Sequence, residues 1–271
     1  MAQKKERPKT LKNQRWAAIV AAILAFGMVA SVVGGYIGQA IGGESVMQNQ
    51  QADPEPEDYL AYYEGEVDRL EEYLEEHDEP SPVVLQELAD NYRYLIFIKQ
   101  IYFDDADTLE EYQERLLALS ETLVDKEADN PEHRLNLLNL YFEMQEDEEA
   151  IDEEIGALQE VLHENPDPMI HLSLIGLLSS VDEEQKSREE VDWLYSYLDG
   201  RVADGRADTE EQYIYSVLLG EFLDDPVTAE AILEGILEEE SEESVIYSEA
   251  LNYLNHLQSD SDDEADPIPF D

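Results

Sequence analysis

The chain has 271 residues, of which 67 are Asp or Glu and 16 are Lys or Arg, so its net charge at pH 7 is −51. A surface this acidic argues against nucleic-acid binding, because Lys and Arg are needed to displace the counterions of the phosphates. The absence of Cys excludes disulfides, thiolate nucleophiles and Cys-ligated metal sites.

Charge divides the chain into three parts. Residues 1–15 contain six bases and one acid, residues 16–43 contain no charged side chain, and the rest contains 66 acids and 10 bases. The uncharged part holds an apolar run of 26 residues from Trp16 to Ile41, and about 20 such residues cross a bilayer as a helix. We therefore predict a transmembrane helix over residues 16–42. A cleaved signal peptide is the alternative, but its apolar core would span only about 7–15 residues.

The basic flank sets the predicted orientation. Lys and Arg next to a span stay in the cytoplasm, so the basic N-terminus, residues 1–15, is expected to be cytoplasmic. The acidic part is expected to lie outside the cytoplasm, as the C-terminal domain of a single-pass cell-membrane protein. Within the span, Gly34, Gly38 and Gly42 recur every four residues, a spacing that lets two membrane helices approach closely. This row indicates a homodimer or a membrane partner, and a Gly-rich span without a partner is the alternative.

Beyond a polar linker over residues 43–57, apolar residues recur at three- and four-residue spacing, which predicts helices and no strands. Pro and Asp-rich turns divide residues 58–258 into an acidic domain of about ten helices. The predicted segments are roughly 57–77, 82–103, 108–127, 132–145, 148–164, 168–181, 184–203, 209–223, 227–240 and 243–258. The last part, residues 259–271, contains six acids and two Pro and is predicted to be a disordered acidic tail.

The spacing of equivalent points suggests repeated helix pairs. Asn130-Pro131 recurs as Asn165-Pro166, 35 residues later, and Asp208 has a counterpart at Glu242, 34 residues later. A period near 34 residues is typical of α-solenoids.

Several residues resemble the tetratricopeptide-repeat (TPR) family. The stretch from Leu88 to Tyr92 matches the Leu-Ala-x-x-Tyr core of that family's first helix, and Asn136–Phe142 followed by Glu149-Ala150-Ile151 matches a first helix and the start of a second. The resemblance implies an all-α fold, namely an α-solenoid of TPR-like antiparallel helix pairs with a groove that holds peptides or helices. The residues that would form its core are Leu85, Leu88, Ala89, Tyr92, Leu137, Tyr141, Ala150, Ala229, Leu233 and Tyr247.

We expect a membrane-anchored, extracytoplasmic scaffold or adaptor that binds a protein or peptide, in a layout similar to TPR proteins of envelope assembly or secretion. The alternative is a structural homo-oligomer or acidic spacer without a specific client. No catalytic residue, cofactor or metal site is predicted, because the five His are scattered and carboxylate pairs are expected by chance among 67 acids. The many carboxylates are interpreted as a solvated, halophilic surface. Most aromatics of the first helices, such as Tyr94, Phe142, Tyr213 and Tyr253, are expected to pack between helices, with a minority lining a binding surface.

Overall fold

The structure is a computed structural model that describes residues 56–77, 79–103, 106–145, 147–181 and 183–264. Throughout these ranges the regular structure is helical, with no strand, so the all-α prediction is confirmed. None of the helices described is long and apolar enough to cross a membrane. The predicted span over residues 16–42, with Gly34, Gly38 and Gly42, lies outside the described residues.

Ten helices follow one another along the described chain. They are α1 (Pro56–Glu76), α2 (Pro82–Tyr102), α3 (Ala106–Lys126), α4 (Pro131–Met144), α5 (Glu148–Glu164), α6 (Pro168–Ser180), α7 (Glu184–Ala203), α8 (Thr209–Val217), α9 (Pro226–Glu239) and α10 (Val245–Glu264). A five-residue π-helical segment, Leu218–Phe222, continues α8. α10 extends six residues beyond the predicted end at 258, so the predicted tail begins within a helix, and its residues 265–271 lie outside the described part.

A short local signal starts many of these helices. A capping Ser, Asn or Asp is followed directly by Pro at the starts of α2, α4, α6 and α9. The capping side chain accepts a hydrogen bond from a backbone N–H of the first turn, which has no partner within the helix, and Pro has no N–H to satisfy there. At α8 the signal is a capping box, in which Asp208 and Glu211 each accept from the backbone of the other.

The helices form two compact units, which are described separately. In the first unit, α1 to α5, the first two helices are antiparallel: Tyr63 of α1 stacks on Tyr94 of α2, while Arg69, further along α1, pairs with the earlier residue Glu87. Burial of the facing apolar residues holds α1, α2 and α3 together. The core of the first unit consists of Val67, Leu70, Leu85, Leu88, Ala89, Tyr92, Leu95, Ile96, Leu116, Leu123 and Leu140.

The second unit contains α6 to α10. α6 is apolar on most of its surface, and Leu174, Ile175, Leu177 and Leu178 are all buried. α10 packs along the π-helical segment, where Gly220 leaves room for Tyr253 and Leu257. The core of the second unit consists of Ile175, Val191, Leu194, Leu198, Ile214, Tyr215, Leu218, Leu219, Ala229, Leu233, Ile236, Ala250, Leu254 and Leu257.

The predicted repeat period is not regular in the structure. The starts of α2, α4, α6, α8 and α10 are separated by 49, 37, 41 and 36 residues. The two Asn-Pro pairs are also not equivalent, which corrects that sequence prediction. Asn130 caps the start of α4, whereas Asn165 follows the end of α5 and the cap of α6 is Asp167.

Candidate functional site

The first unit contains an acidic cleft of about 270 Å³ between α1 and α3, with α2 as its floor. On the α1 wall lie Glu64, Asp68 and Glu71. These residues are four and three positions apart, so their side chains share one face of the helix. The floor is formed by Tyr92 and Leu95 of α2. The cleft therefore depends on the packing of three successive helices.

The α3 wall repeats this spacing with different chemistry. Thr108 is followed after three, four and seven residues by Glu111, Tyr112 and Arg115. This spacing again places all four side chains on one helix face. The two walls together carry four carboxylates and one guanidinium. The cleft therefore favours a positively charged group.

Tyrosine hydroxyls hold two of the carboxylates in place. Tyr92 donates a 2.6 Å hydrogen bond to Oε1 of Glu71, and Tyr112 donates one of 3.3 Å to Oε1 of Glu64. Burial, followed by the hydrogen bond to Glu71, raises the pKa of Tyr92 above its ordinary value. The phenol of Tyr92 therefore stays protonated at neutral pH and acts as a hydrogen-bond donor rather than as a base.

A lysine extends the same network. Nζ of Lys99 lies 4.0 Å from Oε1 of Glu64 and 6.0 Å from the ring centroid of Tyr112. Asp68 and Glu111, in contrast, are exposed to solvent. A ligand that enters the cleft consequently meets the carboxylates of Asp68 and Glu111 first.

The dimensions of the cleft indicate what it can bind. Pockets for drug-sized molecules usually measure about 300–1,000 Å³. The cleft, at about 270 Å³, is better suited to one or two side chains of a partner than to a drug-sized ligand. A Lys or Arg side chain would place its aliphatic part against Val67 and Leu95 and its charge between the walls. The arrangement is chemically suited to recognising a cationic residue of a partner protein.

The residues predicted to form a TPR-like core are mostly buried, but they do not form one site. Leu85, Leu88, Ala89 and Tyr92 belong to the core of the first unit, and Leu137 of α4 is also buried. Ala229 and Leu233 belong to the core of the second unit, whereas Tyr141, Ala150 and Tyr247 are only partly buried. Tyr92 is the member of this set that also contacts the cleft.

None of the tyrosines that the sequence analysis expects to pack between helices is among those that face solvent most. Among the described residues, Tyr59, Tyr62, Tyr73 and Tyr102 are the exposed tyrosines, at 39–58% of their surface. Three of them lie on α1, which was not part of the matched first helices. The tyrosines singled out on first helices are buried or half-buried.

One polar pair in the second unit was also missed. His171 of α6 is fully buried, hydrogen-bonds to Glu190 of α7 and stacks on Trp193 with 4.8 Å between ring centroids. The sequence predicts no role for the five scattered His, and His171 is packed in the interior of its unit. Its acidic partner lies 19 residues away, so the pairing depends on how α6 and α7 meet.

The acidic cleft itself could have been indicated only in part by the sequence. The spacing of Glu64, Asp68 and Glu71 on one face of α1 is visible there, but similar spacings occur throughout a chain with 67 acids. What distinguishes these residues is the position of α3, which a local pattern does not contain. Comparison of the chain with protein-family models, with curated proteins and with solved structures gives no match in any of the three.

Proposed function

We propose that the chain is a membrane-anchored adaptor that binds a protein partner outside the cytoplasm. A single helix over residues 16–42 would hold it in the cell membrane, and the acidic helical domain, with its TPR-like helix pairs, would bind the partner. The observation that carries the proposal is the acidic cleft between α1 and α3, which combines carboxylates, tyrosine hydroxyls and a volume suited to side chains.

The charge of the chain supports a partner with Lys or Arg at its contact surface. Positive and negative surfaces attract over several ångströms and accelerate association, although they add less to affinity than buried apolar contacts. The orientation of the anchor is supported by the basic residues that precede it and the acids that follow it. Both features are expected of an adaptor that extends from the outer face of a membrane.

The proposal is tested by isolating the full chain and its partners from detergent extracts of the host. The cleft variant replaces Asp68→Asn and Glu111→Gln, two exposed acids of the cleft. The control variant replaces Asp152→Asn and Glu153→Gln, two exposed acids of α5 in the same unit. Both variants change the net charge by the same amount, so a difference between them reports the cleft and not the overall field.

We expect the wild-type chain and the control variant to recover the same discrete partner, and the cleft variant to recover several times less of it. Recovery of that partner at equal yield by all three chains would contradict a role for the cleft. Recovery of the chain alone, in every case, would contradict the adaptor. It would instead favour the second hypothesis of a homo-oligomer or acidic spacer.

A further inference from the structure

The C-terminal half of α2 carries no acid and exposes large apolar side chains. From Asn91 to Phe103 the sequence contains no Asp or Glu, although a quarter of the chain is acidic. On this segment Phe97 and Ile101 expose 51% and 54% of their surface. They are four residues apart and therefore adjacent on one face of the helix.

Aromatic contacts continue this apolar area onto α1. Tyr94, three residues before Phe97, stacks on Tyr63 with 4.7 Å between ring centroids, and Tyr63 meets the edge of Tyr62 at 5.2 Å. Tyr62 exposes 51% of its surface, and Tyr59, one turn earlier, exposes 47%. We refer to Tyr59, Tyr62, Tyr63, Tyr94, Phe97 and Ile101 as the α1/α2 apolar surface.

This surface is separate from the acidic cleft. Leu95 lines the cleft, and Phe97 follows it by two residues, which turns a helix by about 200°. Lys99, four residues after Leu95, lies on the cleft side, where it contacts Tyr112 and Phe103. A partner could therefore occupy the α1/α2 apolar surface without entering the cleft.

The size of the surface is sufficient for docking. Large side chains of this kind each have about 150–250 Å² of surface, so half-exposure of its four outer members leaves about 300–500 Å² in contact with water. Isolated exposed apolar residues are ordinary, but the largest contiguous apolar area of a protein, about 300–600 Å² in a typical monomer, is often an interaction site. Its α2 members, Tyr94, Phe97 and Ile101, lie on a segment without acids.

We propose that the α1/α2 apolar surface binds a cationic amphipathic helix of a protein partner. The inference rests on the proposed adaptor function and names the chemistry of the partner. Apolar residues at i, i+3, i+4 and i+7 of such a helix would cover Phe97, Ile101 and Tyr62, as in other helix-and-groove complexes. Lys or Arg beside that stripe would face the acidic residues that border the surface.

Charge complementarity decides among the occupants. Glu57 and Asp58 are exposed in the first turn of α1, beside Tyr59, and the chain beyond residue 43 carries a net charge of −56. A second copy would bring the same acids together, and an anionic membrane would be repelled in the same way. A cationic helix gains from both the charge and the apolar contact.

The test uses the full chain in a non-ionic detergent and a synthetic probe. The probe is a fluorescent helix of about 18 residues, built from Leu and Lys so that the Leu residues form one apolar face. The surface variant is Phe97→Ser with Ile101→Ser, and the matched control is Val227→Ser with Val245→Ser, two valines of the second unit that expose 76% and 75% of their surface. Binding is followed by fluorescence anisotropy, with thermal melts to compare folding.

We expect the probe to bind the wild-type chain and the control with equal Kd, and the surface variant at least tenfold more weakly. The variant Phe97→Asp separates charge from apolar contact, since attraction by charge alone predicts tighter binding and our proposal predicts weaker binding. Equal binding by the surface variant, or tighter binding by Phe97→Asp, would overturn the proposal.

Two further outcomes would assign the surface to another occupant and also overturn it. One is a dimer in light scattering that the surface variant dissociates, and the other is flotation with lipid vesicles that the surface variant abolishes. The cleft variant, Asp68→Asn with Glu111→Gln, is expected to retain most of the probe affinity. If the probe binds equally to wild type and surface variant while the host partner is still recovered through the cleft, the surface inference fails and the adaptor function stands. If no host partner is recovered by any chain, the adaptor function itself fails.

Discussion

The contact between α10 and the π-helical segment makes a quantitative prediction for Gly220. A methyl group at Gly220 would lie 2.4 Å from Oη of Tyr253, 3.4 Å from its Cζ and 3.2 Å from Cδ2 of Leu257. Replacement by Ala must therefore displace the rigid ring of Tyr253 or move α10. Overpacking of this kind costs about 1–3 kcal/mol.

Gly235 in α9 is a matched control, because a Cβ at that position would have no atom within 4 Å. Both Gly→Ala replacements gain helix propensity, about 1 kcal/mol each. The difference between the variants Gly220→Ala and Gly235→Ala therefore isolates the cost of the clash. For a unit of about 100 residues, each kcal/mol changes the Tm by about 4–8 °C.

Thermal melts followed by circular dichroism would measure this difference. We expect Gly235→Ala to melt at or above the wild-type Tm, and Gly220→Ala to melt at least about 4 °C below Gly235→Ala. Adding Tyr253→Phe to Gly220→Ala removes the hydroxyl and should recover part of the loss. Equal Tm values for the two alanine variants would refute the packing of Tyr253 against Gly220.

Three further predictions concern charge. Arg134→Met should lower the free energy of unfolding in urea titrations by about 2–4 kcal/mol, because it leaves the largely buried carboxylate of Glu154 without the guanidinium that lies 2.8 Å away. Adding Glu154→Leu should restore much of the loss. An unchanged urea midpoint for Arg134→Met would contradict this prediction. Burial raises the pKa of Asp90, Glu143, Glu154 and Glu249 in the folded chain. The protonated form of each group therefore contributes stability that is complete below the unfolded pKa and is lost as the pH rises through the folded pKa. The Tm should accordingly be higher near pH 5 than near pH 7.5, and the reverse order would count against buried carboxylates. Lowering KCl from about 3 M to about 0.05 M should reduce helicity and Tm, since the Debye length then grows severalfold, and identical melts at both salt concentrations would exclude the halophilic interpretation.

Most of the helical architecture could be predicted from local patterns. The ten predicted segments match the ten helices, with starts within two residues of those in the structure. The reason is that the signals are local: a capping residue and Pro at Ser81-Pro82 or Asp225-Pro226, and apolar residues at helical spacing between them. The end of α10 was misplaced because the acidic sequence after residue 258 continues the helix without any such signal.

The features that depend on packing could not be predicted in this way. The acidic cleft requires α3 to lie beside α1, and the exposure of Phe97 and Ile101 depends on which faces of α2 its neighbours leave open. Neither is encoded in a spacing along one helix. The π-helical segment after Val217 is also not predicted from the sequence, and Gly220 within it lies where Tyr253 and Leu257 of α10 pack. Local sequence patterns predict the helices, whereas tertiary contacts determine which of their surfaces are exposed.

Site-specific photo-crosslinking in the native host would test the adaptor function most directly. A photoreactive amino acid would replace Thr108 in the acidic cleft, Phe97 on the α1/α2 apolar surface, or exposed Val227 in the second unit as a control. We expect a discrete adduct with one other protein from the first two positions and none from Val227. Adducts of the chain with itself, or no adduct at Thr108 and Phe97, would contradict the adaptor.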